Sequence, residues 1–191
     1  MAVLSVRQRV LALVLAGIGG VAWWYQAQQG AQAPAQAPRP RLPDYRVEGF
    51  SATTMDAAGL PARSLSAREL RHFADDDSSE IDQPVLVLYT PGAPPWVIRS
   101  ETGWASGDGE RLLLQGEVLA DREASAEARP IHLRTSELLV HPRQDYAETA
   151  MPVRIDSNDD WLTSTGMQAW FGKTDLRANF LGRARARLAV Q

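Results

Sequence analysis

Leu176-Arg177-Ala178-Asn179-Phe180-Leu181-Gly182-Arg183-Ala184-Arg185-Ala186-Arg187-Leu188-Ala189-Val190 is the run whose reading decides the fold. Leu176, Ala178, Phe180, Gly182, Ala184, Ala186, Leu188 and Val190 alternate with a second set that is mostly Arg and Asn. A helix with this order carries apolar residues on every side, whereas a strand sorts them onto one face. Although Ala, Leu and Arg are good helix formers, the period of two predicts one long, half-buried strand from Thr174 to Val190.

Upstream, similar runs recur at Arg46 to Thr54, Val85 to Thr90, Trp96 to Glu101, Arg111 to Leu119, Ile131 to Thr135, Glu137 to His141, Pro152 to Asp156 and Leu162 to Phe171. Turn-forming clusters separate them: Asp56-Ala57-Ala58-Gly59, Pro91-Gly92-Ala93-Pro94, Gly107-Asp108-Gly109 and Ser157-Asn158-Asp159-Asp160. Ala67 to Phe73 suits a helical turn or a strand equally. Short strands at near-regular spacing, with no helix alternating between them, predict an all-β domain of antiparallel strands: a sandwich, barrel or jelly roll.

The N-terminal end is different in kind. Val10 to Tyr25 is apolar, follows Arg7 and Arg9, and ends in Trp23-Trp24-Tyr25. Sixteen residues rising about 1.5 Å each reach roughly 24 Å, a little short of a ~30 Å hydrocarbon core. Aromatic rings at the headgroup level and cations on the N-terminal flank predict one transmembrane helix with its N-terminus in the cytoplasm. A cleaved secretory signal ending near Ala31-Gln32-Ala33 is the competing reading, and both place the remainder outside the cytoplasm. Ala12, Ala16 and Gly20 share one face of that helix and suit close packing against another membrane helix. Residues 26 to 43, rich in Gln, Ala and Pro, read as a linker. The expected organisation is therefore a cytoplasmic tip and anchor (1–25), a linker (26–43) and one β domain (44–191).

All 23 carboxylates lie at or after Asp44, where they face 16 of the 20 Lys and Arg residues. Such an acidic domain lacks the basic face that nonspecific nucleic-acid binding requires. The sign reverses locally from Lys173 onward, where Lys173, Arg177, Arg183, Arg185 and Arg187 meet Asp175 alone. The sequence has no cysteine, so packing and strand pairing must hold an exported domain together. His72, His132 and His141 are scattered without ligand spacing, and there is no G-x-S-x-G or Walker loop. Asp75, Asp76, Asp77, Glu80 and Asp82 lack the register of a calcium loop and read as a solvated acidic cluster. No metal, cofactor or catalytic set is expected.

Several pieces, taken in order, resemble the LptC family of the lipopolysaccharide export machinery. They are the N-terminal anchor, Asp56-Ala57-Ala58-Gly59, Gln83-Pro84-Val85-Leu86, Pro95-Trp96-Val97-Ile98 and Leu112-Leu113-Leu114-Gln115-Gly116-Glu117-Val118. Leu133-Arg134-Thr135-Ser136-Glu137-Leu138, Pro152-Val153 and Thr165-Gly166-Met167 follow. The resemblance covers nearly the whole chain and departs at its end, where Arg183, Arg185 and Arg187 alternate with alanines instead of larger residues. It implies an inner-membrane protein with a periplasmic β-jellyroll whose apolar interior carries lipid A acyl chains. Lipopolysaccharide would arrive from the LptB, LptF and LptG transporter and pass to an LptA-like bridge protein, with the energy supplied by the partner ATPase.

Alternation nominates Phe50, Ile81, Leu86, Trp96, Ile98, Leu112, Leu114, Val118, Leu133, Val153, Ile155, Trp170 and Phe180 as the interior. The C-terminal strand, with Leu176, Phe180, Arg183, Arg185 and Arg187, is the expected open edge for the next carrier, because no later strand covers it. A membrane-tethered interaction scaffold that binds no lipid is the alternative function.

Overall fold

The computed structural model describes residues 41–126, 129–171 and 176–188. The described residues from Leu42 onward form one compact unit. The expected membrane helix, its packing positions Ala12, Ala16 and Gly20, and nearly all of the linker lie outside the described residues. Among those described, no helix is long and apolar enough to cross a membrane.

The described chain is an antiparallel β structure. Its strands are β1 (Tyr45–Met55), β2 (Pro61–Phe73), β3 (Ser78–Asp82), β4 (Val85–Thr90), β5 (Ala93–Arg99) and β6 (Thr102–Ala105). They continue with β7 (Leu112–Arg122), β8 (Ile131–His141), β9 (Tyr146–Ser157), β10 (Asp160–Phe171), β11 (Leu176–Phe180) and β12 (Arg185–Arg187). A single 3-10 turn, Pro142–Gln144, joins β8 to β9. Local chemistry sets the hairpins. Asp56 Oδ1 accepts from the backbone N–H of Ala58 and Leu60, both at 2.9 Å, closing the β1–β2 turn. Pro91 presets the first turn position between β4 and β5, and Gly92 supplies the positive φ of +75° that the second requires.

From β2, two hydrogen-bonded routes lead to β7, one through β4 and β5 and the other through β3 and β6. They part where the chain bends together at Gln83-Pro84 and Ser100-Glu101. There the Gln83 N–H donates to Glu101 O at 2.9 Å and the Ser100 N–H donates to Pro84 O at 3.3 Å. At this corner the sheet folds over on itself and acquires an interior. One apolar row crosses it strand by strand: Leu65, Leu86, Ile98, Ala120, Leu133, Ile155 and Leu162. A second runs through Leu70, Ile81, Gly103, Leu114 and Leu138. Gly103 fits closely there, since a Cβ would stand 3.2 Å from Pro84 Cγ and require it to shift. The buried members of both rows belong to one core cluster.

The predicted C-terminal strand is corrected in one respect: it is two short strands. β11 pairs with the second half of β10 and β12 with the first. Between them the Leu181 N–H donates to Gly166 O at 3.1 Å, and Gly182 crosses so close to β10 that a Cβ would lie 2.5 Å from Thr165 O. Alternation continues through such a break because it records which face a residue takes, not whether its backbone stays in the ladder. Ala67 to Phe73 is strand, as the second half of β2. The acidic cluster divides: Asp75 to Asp77 lie in the turn before β3, while Glu80 and Asp82 sit on β3 and pair with Arg71 and Arg68.

Candidate functional site

The interior holds a cavity of about 90 Å³ whose lining exposes no polar surface. Its walls are Trp96 and Ile98 from β5, Ala120 from β7, Ile131, Leu133 and Leu138 from β8, Ala147 and Ile155 from β9, Met167 and Ala169 from β10, and Ala178 from β11. Small residues make the space. Ala147, Ala169 and Ala178 stand side by side across β9, β10 and β11, where larger side chains would close it. Ala147 and Ala169 are buried, whereas Ala178 is exposed at the outermost strand, so the space extends toward the sheet's edge.

Most of the nominated interior residues occupy this core. Ile81, Leu86, Trp96, Ile98, Leu112, Leu114, Val118, Leu133 and Val153 are buried, and Phe50, Ile155 and Phe180 pack against them. Of these, Trp96, Ile98, Leu133 and Ile155 also line the cavity.

Trp170 is a correction, being 38% exposed on the outer face. A bulge is the cause. The β9–β10 register shifts between Thr165 and Met167, where Gly166 takes a φ of +82°. Leu162 and Ser164 face inward before the bulge, and Met167 and Ala169 after it, so Trp170 points outward. There its ring lies 5.2 Å from that of Tyr146, which in turn lies 5.5 Å from His141. Burial and the hydrogen bond from Tyr146 Oη to Glu148 (2.6 Å) push the phenol up to about 12, so it remains a neutral donor.

Sequence reading passed over Ala120, Ala147, Ala169, Met167 and Leu138. The alanines carried no apolar bulk to draw notice, yet their smallness shapes the cavity. Gly166 inside a strand was the available signal for the parity change.

The strand order leaves two ends. β1 pairs only with β2, and β11 and β12 pair only with β10 among the described residues. Arg183, Arg185 and Arg187 are all exposed at the second end. At the first, His72 joins the start of β1 to the β2–β3 turn. Its Nδ1 lies 2.7 Å from Asp44 Oδ1, its Nε2 lies 2.9 Å from Asp77 Oδ1, and Tyr45 stacks on its ring at 4.5 Å. Hydrogen bonds to Asp44 and then Asp77 hold the imidazole above the usual histidine range. Among the described residues, no group of three His, Asp or Glu side chains could hold a metal ion.

An antiparallel β-jellyroll with an apolar interior and, among the described residues, two ends paired on one side only is therefore the class of protein that fold and site define. Its fold is similar to that of LptH, the LptA-homologous periplasmic component of the conserved lipopolysaccharide transport device of Pseudomonas aeruginosa, with a TM-score of 0.50. That likeness spans 67% of this chain and 95% of LptH at 8% identity, and so concerns the fold alone. No curated protein matches the chain by sequence. The family described as lipopolysaccharide-assembly, LptC-related matches residues 10–189, and the chain belongs to that family.

Proposed function

We propose that this protein is an inner-membrane-anchored carrier whose periplasmic domain takes lipopolysaccharide from the LptB, LptF and LptG transporter and passes it to an LptA-like bridge protein. The observation that carries this reading is the wholly apolar cavity set in an interior that approaches the sheet's edge. Moving an acylated molecule through water exposes apolar surface at about 25 cal/mol per Å², and an interior lined by Trp96, Ile98, Leu133 and Ile155 removes that cost. The cavity itself is small for an acyl chain, so loading requires the layers to part around it.

A relay also needs an entrance and an exit. β1 follows the linker and stands nearest to the anchor in the chain, which suits contact with the transporter. β11 and β12 form the opposite end of the strand order and offer unpaired backbone groups to the next carrier. Residues 1–25 serve as anchor, with Ala12, Ala16 and Gly20 toward a partner helix, and residues 26–43 set the reach.

The test is to recover the full-length protein from membranes and assay bound lipopolysaccharide. Wild type carries it, and Ile98→Glu loses it because a carboxylate among acyl chains must be desolvated or protonated. If a folded Ile98→Glu variant carries as much as wild type, those side chains do not line the path. Wild type that carries none but still binds the transporter is instead a scaffold.

A further inference from the structure

On the outer face, the β8–β9 ladder is interrupted between the pairs Arg134–Arg154 and Leu139–Glu148. Over this gap lies a groove of about 650 Å³ that reaches the C-terminal edge and is bordered by Arg134, Arg154, Arg183 and Arg185. It is separate from the apolar cavity, with which it shares no lining residue.

Four guanidinium groups around one concavity are unexpected on a domain with an excess of carboxylates. Arg134 and Arg154 stand directly opposite each other, and Thr163 links Arg154 to Arg185 across the next two strand pairs. Like charges directly opposite destabilise a sheet unless an anion lies between them. Asp156 gives part of that relief: it accepts two hydrogen bonds from Arg154, at 2.9 and 2.6 Å, and attracts Arg134 by charge without a hydrogen bond. Among the described residues, Arg134, Arg183 and Arg185 make no ion pair and all are exposed, so their donors are free for a ligand.

We propose that this groove binds the phosphorylated saccharide of a glycolipid headgroup or of a free oligosaccharide. The volume is that of a small-molecule site. Guanidinium groups are suited to phosphate, which they grip by paired hydrogen bonds. The remaining lining argues for sugar beside phosphate: Glu117 repels a bare phosphate but accepts from sugar hydroxyls, as do the hydroxyl oxygens of Thr163 and Thr165. Arg183 and Arg185 therefore have a ligand role alongside their place at the docking edge. With lipopolysaccharide as cargo, the inference rests on the proposed carrier function and adds a place for the headgroup outside the interior.

Full-length protein in detergent is titrated calorimetrically with lipopolysaccharide oligosaccharide stripped of every acyl chain but retaining its phosphates. Saturable binding is expected. It weakens about tenfold or more in the double variant Arg134→Gln/Arg183→Gln, as two charge-assisted contacts are lost, and on removing the ligand's phosphates. The two arginines make no ion pair, so the variant's melting temperature should match wild type, and Lys at both positions should restore part of the affinity.

Intact lipopolysaccharide that binds wild type and double variant alike, while the acyl-free oligosaccharide does not bind at all, overturns the groove and leaves the carrier reading standing. If neither ligand binds, both readings fall. Inorganic phosphate competing at the same concentration as the oligosaccharide would overturn the saccharide assignment. Loss of bridge-protein binding in the double variant without any oligosaccharide binding would make the groove a protein contact and overturn the proposal.

Discussion

Strands β1 and β7 are each eleven residues long and lead opposite lives. In β7, Leu112, Leu114, Val118 and Ala120 are buried, while in β1 only Phe50 is as much as half-buried. β7 is bordered by β8 on one edge and by β6 and then β5 on the other; among the described residues β1 has β2 alone. Alternation thus gives a strand two distinct faces, but a second layer must lie over the apolar one before it becomes core. Among the described residues β1 is left with exposed surface and one unpaired ladder edge, whereas β7 is committed to the interior.

The largest effect should separate these strands by stability. Leu114, 0% exposed, should cost about 2–5 kcal/mol when changed to Ala, through lost transfer energy and the cavity left behind. Val47→Ala on β1, where the side chain is 37% exposed, should cost about 0.5 kcal/mol or less. Urea denaturation of the two variants measures both, and equal losses would mean that β1 belongs to the same core.

A smaller effect is expected where the opposite edge crosses β10. Adding a Cβ in Gly182→Ala puts it 2.5 Å from Thr165 O, which is backbone and has little room to yield. Overpacking of this kind costs about 1–3 kcal/mol. The cost should be local, so hydrogen exchange should speed up in β12 and leave β1 and β7 as they were. Uniformly faster exchange would show that the C-terminal edge is not independent of the core.

The smallest effect concerns pH at β1. The same hydrogen bond that raises His72 lowers Asp44 below the usual carboxylate range. A raised histidine pKa contributes stability that is complete below the unfolded value, near 6.5, and fades as pH rises through the folded one. A lowered aspartate pKa contributes stability that is lost as pH falls through its folded value. The latch therefore holds between the two folded values, and β1 amides should lose protection, measured against their intrinsic exchange rates at each pH, on going from pH 6 to pH 9. An NMR titration of His72 should give a midpoint above 6.5, and His72→Gln should abolish this pH-dependent loss of protection in β1. A midpoint at or below 6.5 would remove the latch from the account of β1.

Much of the interior was legible because alternation maps directly onto faces: Leu86, Ile98, Leu114, Val118 and Leu133 follow from position in their strands. β6 escaped notice because four residues, Thr102 to Ala105, are too few to show a period. β3 was read as part of an acidic cluster because Glu80 and Asp82 dominate its five residues, and only Ile81 between them faces inward. Trp170 was misplaced because one inserted residue at Gly166 reverses parity, and the type of residue after a bulge does not report the reversal.

By itself the sequence determined the class of the domain, the hairpin turns, most inward-facing positions and the acidic balance broken by arginines near the C-terminus. These depend on neighbours within a few residues, where backbone geometry and side-chain period act directly. Tertiary structure alone decided which alternating strands are covered, where the alanines of three adjacent strands leave a cavity, and that Arg134 and Arg154 meet Arg183 and Arg185 around one groove. Those features are set by register between strands far apart in the chain, and register is fixed only when the whole sheet closes over its interior.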